Sequence, residues 1–230
     1  MQYRTSKLVA GPLLRAVVRT QVNGAENIPE TGPAIVASNH LSVIDSIYLP
    51  LLLRRPLVFA AKSEYFTGTR LRDRATAAYL RATNQLSTDR GGARAAQDML
   101  ESALELLSSG ELFGIYPEGT RSPDGRLYRG RTGVGWLALN SGAPVIPVAM
   151  MDTEKILPPG QRLPRPGRIE IRIGEPLTFE GILAEGTGAR QRRAVTDEVV
   201  QAIQKLSGQD YVPMYASVRK EELAAQQSAK

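Results

Sequence analysis

The chain contains a strand, a loop and the start of a helix in one continuous stretch, Ala34-Ile35-Val36-Ala37-Ser38-Asn39-His40-Leu41-Ser42-Val43-Ile44-Asp45. Its first residues are small or β-branched and uncharged, which is typical of a strand buried on both faces. The Ser-x-x-Asp pattern from Ser42 to Asp45 has the form of a capping box, and an apolar run over residues 47–53 follows it. We therefore expect a strand over residues 34–38 and a helix over residues 42–53.

His40 is the only histidine of the sequence, which has no cysteine. Histidine titrates near neutral pH, so it can accept a proton from a hydroxyl and return it to a leaving group. Asp45 would lie roughly 140° away from His40 on a single regular helix. The two side chains converge if His40 lies in the loop after the strand and Asp45 in the first helical turn. The pattern thus predicts a base oriented by a carboxylate; alternatively, Asp45 only caps the helix and His40 only bonds to the backbone.

A second polar loop follows another apolar run, with the sequence Tyr116-Pro117-Glu118-Gly119-Thr120-Arg121-Ser122. Gly119 allows the backbone to approach a ligand closely, and the guanidinium of Arg121 suits phosphate. The alternative interpretation is an ordinary Pro-Gly loop in which Glu118 forms a surface ion pair. Ligands bind beyond the carboxyl ends of strands in α/β sheets, which favours a site at both loops.

The remaining sequence alternates apolar runs with helical patterns, which predicts an α/β class: a single layered domain with a mixed β-sheet flanked by helices. We expect this domain over residues 25–210, followed by a polar tail over residues 211–230. Further strands are predicted over residues 57–61, 85–87, 112–116, 145–150 and 168–173, and further helices over residues 63–82 (in pieces), 92–109, 132–139 and 188–207.

Residues 1–24 are predicted to form a helical membrane-association element. Within residues 3–20, the basic side chains share a sector of roughly 120° on a helical projection. A basic amphipathic segment of this kind can lie in the surface of an anionic bilayer. The alternative is a helix that packs on the body of the protein. The residues on the two faces are Arg4, Lys7, Arg15 and Arg19 against Val9, Leu13 and Val17.

The formal charge of +6 and the pI of about 9.7 favour an anionic partner, such as a nucleic acid, an acidic membrane or a phosphorylated small molecule. Aromatic residues make up only 6% and do not alternate with the basic ones, which argues against nucleic acid. A single histidine without cysteines makes a zinc site implausible, so we expect no metal.

Five short blocks, taken in order, resemble the glycerolipid acyltransferases, specifically the 1-acylglycerol-3-phosphate (lysophosphatidate) acyltransferases. The stretch from His40 to Asp45 is similar to the catalytic H-x4-D motif of that family. The resemblance covers roughly residues 25–177. The other four blocks are Ala61-Lys62-Ser63-Glu64, Ser87-Thr88-Asp89-Arg90, Glu118-Gly119-Thr120-Arg121-Ser122 and Ala143-Pro144-Val145-Ile146-Pro147-Val148.

The resemblance implies transfer of a fatty acyl group from acyl-coenzyme A or acyl carrier protein to the free hydroxyl of lysophosphatidate, giving phosphatidate, with no further cofactor. It also implies peripheral attachment to the cytoplasmic face of the cell membrane. His40 and Asp45 would be catalytic. The implied substrate-binding residues are Lys62, Arg90 and Arg121 for the phosphate, with Glu118, Gly119 and Thr120 in the acceptor pocket.

Several alternatives remain open from the sequence. The acceptor could instead be glycerol 3-phosphate, another lysophospholipid or a glycosylated lipid. A basic nucleic-acid-binding protein and a membrane-surface scaffold without catalysis are more distant possibilities. The sequence does not determine the acyl chain length or the choice of donor, because those depend on the shape of the binding cavity.

Overall fold

A seven-stranded sheet forms the centre of the part of the chain that the structure describes. This structure is a computed structural model, and it describes residues 18–62, 74, 77, 85–88, 92–158, 161 and 163–228. The strands follow the order β1-β8-β7-β2-β5-β3-β4 across the sheet. Their bounds are β1 Val18–Asn23, β2 Ala34–Ser38, β3 Leu57–Lys62, β4 Leu86–Thr88, β5 Leu112–Ile115, β7 Val145–Met151 and β8 Gly167–Ile173.

The pairing of β7 with β8 is antiparallel, and the other neighbouring strands of this sheet are parallel. A second, two-stranded sheet joins β6 (Leu127–Tyr128) to β9 (Tyr211–Val212) in parallel. The expected mixed sheet with flanking helices is therefore confirmed.

The helices cover both faces of the central sheet. Their bounds are α1 Asp45–Leu52, α2 Gly92–Ser108, α3 Gly133–Ser141, α4 Thr153–Ile156, α5 Glu180–Ala184, α6 Ala189–Ser207 and α7 Ala216–Ser228, with a short 3-10 helix over Ala25–Asn27.

Two hydrophobic cores lie on opposite faces of the sheet, and β2 contributes to both. Ala34 and Val36 belong to the core that contains α1, while Ile35 and Ala37 belong to the core that contains α3 and α6. Successive side chains of a strand point to opposite faces, so a strand covered on both sides is apolar throughout. This explains the uninterrupted apolar run that predicted β2.

The topology brings two loops to the same edge of the sheet. Strands β2 and β5 are parallel neighbours, with Ala37 in register with Ile115. His40 follows the carboxyl end of β2, and Tyr116 follows the carboxyl end of β5. The two polar loops singled out in the sequence are therefore adjacent in space.

The described part of the amino-terminal segment corrects one expectation. Residues 18–23, predicted as the end of a helical element, form the edge strand β1, which pairs with β8. Val18, Thr20 and Val22 alternate with polar residues, and this period of two suits a half-buried strand. Residues 1–17 lie outside the described residues, so the amphipathic element itself stays a prediction.

The predicted polar tail contains regular structure. Strand β9 pairs with β6, and helix α7 follows it. Strand β6 is likewise absent from the predicted strands. Strands β6 and β9 are only two residues long and helix α7 lacks a strong apolar periodicity, so the sequence does not predict these three elements.

Two further findings concern membrane crossing and residues 63–82. None of the helices in the described ranges has both the length and the apolar character needed to cross a membrane. The predicted helix over residues 63–82 lies outside the described residues except for Arg74 and Ala77, which are both helical.

Close packing of α3 on α6 depends on Gly135. A Cβ atom there would lie 2.2 Å from the carbonyl oxygen of Arg192 and 2.8 Å from Oγ1 of Thr196. We expect Gly135→Ala to lower the free energy of unfolding by about 1–3 kcal/mol, although alanine favours a helix by about 1 kcal/mol over glycine. Urea unfolding with an unchanged m-value measures the difference.

Gly133→Ala is the matched control, because Gly133 lies in the same helix. Its Cβ would meet only side-chain atoms, the nearest being Cδ2 of Leu100 at 3.4 Å. We expect this variant to be neutral or slightly stabilising. Equal destabilisation by both substitutions would show that the approach of the two helices at Gly135 is not the cause.

Candidate active site

The side chains of His40 and Asp45 meet across the turn from β2 to α1. Nδ1 of His40 lies 2.9 Å from Oδ2 of Asp45, and the side chains are 15% and 0% exposed. The same Oδ2 atom accepts hydrogen bonds from the backbone N–H groups of Leu41 and Ser42, each at 2.8 Å. The carboxylate thus closes the turn and also orients the imidazole, so the two interpretations of Asp45 are compatible.

The expected capping box at Ser42 is wrong in its details. The hydroxyl of Ser42 donates to the carbonyl oxygen of Leu157 at 2.8 Å. The residue preceding the helix is Ile44, and no side chain caps it. Asp45 is the first helical residue, from which its carboxylate reaches back to the turn instead of capping from the third helical position.

An aromatic stack holds the plane of the His40 ring. The ring centroids of His40 and Tyr116 are 3.8 Å apart with an interplanar angle of 9°, and Tyr116 stacks in turn on Phe59 at 5.0 Å. The hydroxyl groups of Tyr116 and Ser46 lie 2.9 Å apart. The sequence alone suggests no role for these side chains. Tyr116 follows the end of β5 and Phe59 lies within the neighbouring β3, so their stacking depends on the strand order.

Glu118 joins the two loops from beneath the site. Its side chain is buried, with 2% exposure, which contradicts the surface ion pair considered for it. Oε2 accepts from the backbone N–H of His40 at 3.2 Å, and Oε1 accepts from the backbone N–H of Tyr128 at 2.9 Å. The backbone N–H of Ser122 also donates to the carbonyl oxygen of His40 at 2.7 Å. The position of His40 is therefore set by both loops.

Burial raises the pKa of Glu118 to about 7 from its ordinary value of 4.5. Desolvation disfavours the ionised form, and the nearby charge of Asp45 acts in the same direction. The hydrogen bonds donated by the backbone of Tyr128 and His40, together with the charge of Lys220, oppose this rise.

Gly119 and Thr120 connect this loop to later parts of the chain. Gly119 has a φ of 72°, and a Cβ atom there would lie 2.9 Å from Cδ of Arg131. Glycine is suited to this position because it adopts left-handed backbone without steric cost. Oγ1 of Thr120 accepts a hydrogen bond from Nζ of Lys220 at 2.6 Å. Helix α7 therefore contacts the loop that carries the predicted acceptor-binding residues.

A cavity of about 450 Å³ opens beside His40. His40, Gly119 and Arg131 supply its polar lining, and most of the remaining wall is apolar. Strands β3 and β5 and the start of α2 form that wall, which includes Phe59, Ala60, Ala96, Met99, Phe113 and Ile115. Such a cavity suits an apolar chain whose reacting end lies near the imidazole.

The structure describes only one of the three side chains predicted to bind the acceptor phosphate. Arg121 is half-buried, forms no ion pair with another described residue and does not line the cavity beside His40. Lys62 ends β3, but its side chain lies outside what the structure describes, and Arg90 lies wholly outside it. No cluster of three side chains suited to a metal ion occurs within the described ranges.

Residues 19–151, which include both loops, match the family described as Acyltransferase. The chain belongs to this acyltransferase family. It is 30% identical over 174 residues to a chloroplastic 1-acyl-sn-glycerol-3-phosphate acyltransferase of Brassica napus, covering 75% of this chain and 49% of that protein. A Pseudomonas aeruginosa protein with the same enzyme name is 31% identical over 184 residues, covering 76% of this chain and 63% of that protein.

A solved structure also resembles this acyltransferase. The crystal structure of the 1-acyl-sn-glycerophosphate (LPA) acyltransferase PlsC from Thermotoga maritima has a TM-score of 0.66 and 26% sequence identity. The likeness covers 89% of this chain and 79% of that chain. The expected family and fold are thereby confirmed, whereas the roles of individual residues stay predictions. The chain spans about half the length of the Brassica napus relative.

The buried carboxylate of Glu118 predicts a pH dependence of stability. Its pKa is raised in the folded state, so the folded protein binds more protons than the unfolded chain between pH 4.5 and about 7. The resulting stabilisation is present below pH 4.5 and is lost as the pH rises through 7. Over this pH interval, we expect the free energy of unfolding of the wild type to fall by on the order of 3 kcal/mol relative to that of a Glu118→Gln variant.

Urea unfolding at several pH values, with wild type and variant side by side, measures this difference. Glu105→Gln on the exposed face of α2 is the control, and its curve should run parallel to that of the wild type. Parallel curves for the wild type and Glu118→Gln would contradict the raised pKa.

Proposed function

We propose that this acyltransferase transfers a fatty acyl group from acyl-coenzyme A or acyl carrier protein to the free hydroxyl of 1-acylglycerol-3-phosphate, forming phosphatidate. The observation that carries the proposal is the 2.9 Å contact between Nδ1 of His40 and Oδ2 of Asp45 at the wall of an apolar cavity. The enzyme names of the Brassica napus and Pseudomonas aeruginosa relatives support the choice of acceptor.

The contact indicates which nitrogen of His40 would act as the base. An ionised carboxylate only accepts hydrogen bonds, so Nδ1 carries the hydrogen that is donated to Asp45. The Nε2 atom then has a lone pair that can accept the proton of the acceptor hydroxyl. Asp45 also stabilises the imidazolium that forms, because its negative charge lies against the ring.

The reaction then follows from the position of this base. The acceptor oxygen attacks the thioester carbonyl carbon while His40 takes the hydroxyl proton. The tetrahedral oxyanion collapses, the carbon–sulfur bond breaks, and the sulfur leaves as a thiolate or takes the proton from His40. No covalent acyl-enzyme is needed in this direct transfer. The oxyanion needs hydrogen-bond donors. The backbone N–H of Gly119 already donates to the backbone carbonyl oxygen of Tyr116 at 2.9 Å, so we expect a different group to serve the oxyanion.

The wall of the cavity supports an acyl donor over a small polar one. Phe59, Met99 and Ile115 offer apolar surface beside His40. Each methylene group removed from water contributes about 0.8 kcal/mol. This binding energy would hold the thioester near the base, while Lys62, Arg90 and Arg121 are proposed to hold the acceptor phosphate.

The proposed location is the cytoplasmic face of the membrane, to which the protein would attach peripherally. The formal charge of +6 supports contact with anionic lipids. The basic amphipathic pattern of residues 3–17, which precedes β1, supports the same surface as the point of attachment.

His40→Ala tests the proposed base. We expect its turnover to fall by roughly 10²–10⁴-fold, since general base assistance has about this effect. The imidazole is only 15% exposed and pairs with the buried Asp45, so the melting temperature should also fall, and turnover is compared well below it. Mass spectrometry of products from purified protein, acyl-coenzyme A and lysophosphatidate measures the turnover. Turnover close to that of the wild type would end the proposal.

Asp45→Asn tests the orienting carboxylate in the same assay, and it should lower turnover with a smaller effect on the acceptor KM. Asp152→Asn is the matched control, because Asp152 is 47% exposed and pairs with Lys155. Asparagine also tolerates the φ of 65° found there. Equal losses in both variants would refute a specific role for Asp45.

A panel of acceptors tests the choice of substrate. Lysophosphatidate, glycerol 3-phosphate, lysophosphatidylcholine and monoacylglycerol are offered separately to the wild type. We expect the highest kcat/KM with lysophosphatidate. A clear preference for glycerol 3-phosphate would overturn the assignment of lysophosphatidate as the acceptor, but it would remain consistent with acyl transfer.

A further inference from the structure

Arg131 shares the cavity with His40, although it lies outside the five blocks recognised in the sequence. Of the described residues that line this cavity, Arg131 is the one whose side chain is always charged. The stem of the side chain lies against Gly119, and the backbone N–H of Arg131 donates to the carbonyl oxygen of Pro117 at 2.7 Å. The side chain is thus placed next to the loop that the family resemblance assigns to the acceptor.

The guanidinium of Arg131 is supported without being neutralised. It lies 5.2 Å from the ring centroid of Tyr215, and Nη2 donates to Oγ of Ser217 at 3.2 Å. Among the described residues, no carboxylate forms an ion pair with it. A guanidinium has five N–H donors, so several stay available to a ligand. An exposed cation held by a ring and a hydroxyl is ready to bind an anion.

The chemistry of the proposed acceptor favours a cation close to the proposed base. In 1-acylglycerol-3-phosphate the free hydroxyl and the phosphate ester lie on neighbouring carbons. A hydroxyl positioned at His40 therefore places the phosphate within a few bonds of the imidazole. Arg131 and His40 both line this cavity, whereas Arg121 does not.

We propose that Arg131 is a further substrate-binding residue, which binds the phosphate monoester of the acceptor at the cavity beside His40. The side chains of Tyr215 and Ser217 are positioning residues for it. This inference rests on the proposed function, because it assigns one more residue to the same acceptor.

The experiment compares Arg131→Met with Arg129→Met. Arg129 is also exposed and lies 5.7 Å from the ring centroid of Tyr215, but it does not line the cavity beside His40. The two variants lose the same charge and the same aromatic partner, and they differ chiefly in their position relative to the cavity. Lysophosphatidate and monoacylglycerol are presented in mixed micelles with a neutral detergent, and kcat and KM are measured for both acceptors and for acyl-coenzyme A.

We expect Arg131→Met to raise the KM for lysophosphatidate by roughly 10- to 100-fold, as for the loss of a charge-assisted hydrogen-bonded pair. The KM for acyl-coenzyme A and the kinetics with monoacylglycerol should stay within roughly threefold of the wild type. Arg131→Lys should recover part of the loss, because it keeps the charge without the planar fork. Arg129→Met should resemble the wild type throughout.

Equal lysophosphatidate KM values for the two methionine variants would overturn the inference. An increase confined to the KM of acyl-coenzyme A would also overturn it, since the phosphate bound would then belong to the donor. A wild-type protein that fails to acylate lysophosphatidate refutes the proposed function separately. In that case, calorimetric binding of glycerol 3-phosphate decides the inference: it stands if Arg131→Met alone abolishes binding, and it fails if both variants bind like the wild type.

Discussion

The site depends on one oxygen atom of a buried carboxylate. Oδ2 of Asp45 accepts from the ring of His40 and from two backbone N–H groups of the turn between β2 and α1. A buried charge without such partners would be strongly unfavourable. The same contacts that make burial of Asp45 tolerable therefore set the path of the chain and the orientation of the imidazole. The fold of the turn and the orientation of the imidazole therefore both depend on the hydrogen bonds to this oxygen.

Parallel strand order supplies the second level of organisation. Because β2 and β5 are neighbours, the loops after them lie side by side, and Glu118 can join them through the backbone of His40 and Tyr128. The cost of burying this carboxyl group is reduced by its raised pKa, since the neutral form is more easily held away from water. The result is an imidazole that is held in place and partly dehydrated beside an apolar cavity.

Features formed by residues close together in the sequence could be predicted, whereas contacts between distant segments could not. His40 and Asp45 were found because a strand pattern, a turn and a helix pattern follow one another within one short stretch. The aromatic stack under His40 was missed because Tyr116 reaches it only through the order of the strands. The contact of Tyr215 with Arg131 was missed because cation–π contacts leave no periodic signal, and strand β1 was misread because its first residues continue a basic, apolar pattern.

The contact between α7 and the loop around Gly119 joins segments that are synthesised at very different times. Ribosomes release a chain from its amino terminus, and early segments begin to fold before later ones emerge. The stretch that carries His40 and Asp45 is synthesised early, whereas the residues of α7 that contact Arg131 and Thr120 are synthesised much later. A nascent chain thus contains the His40–Asp45 pair long before the residues that position Arg131.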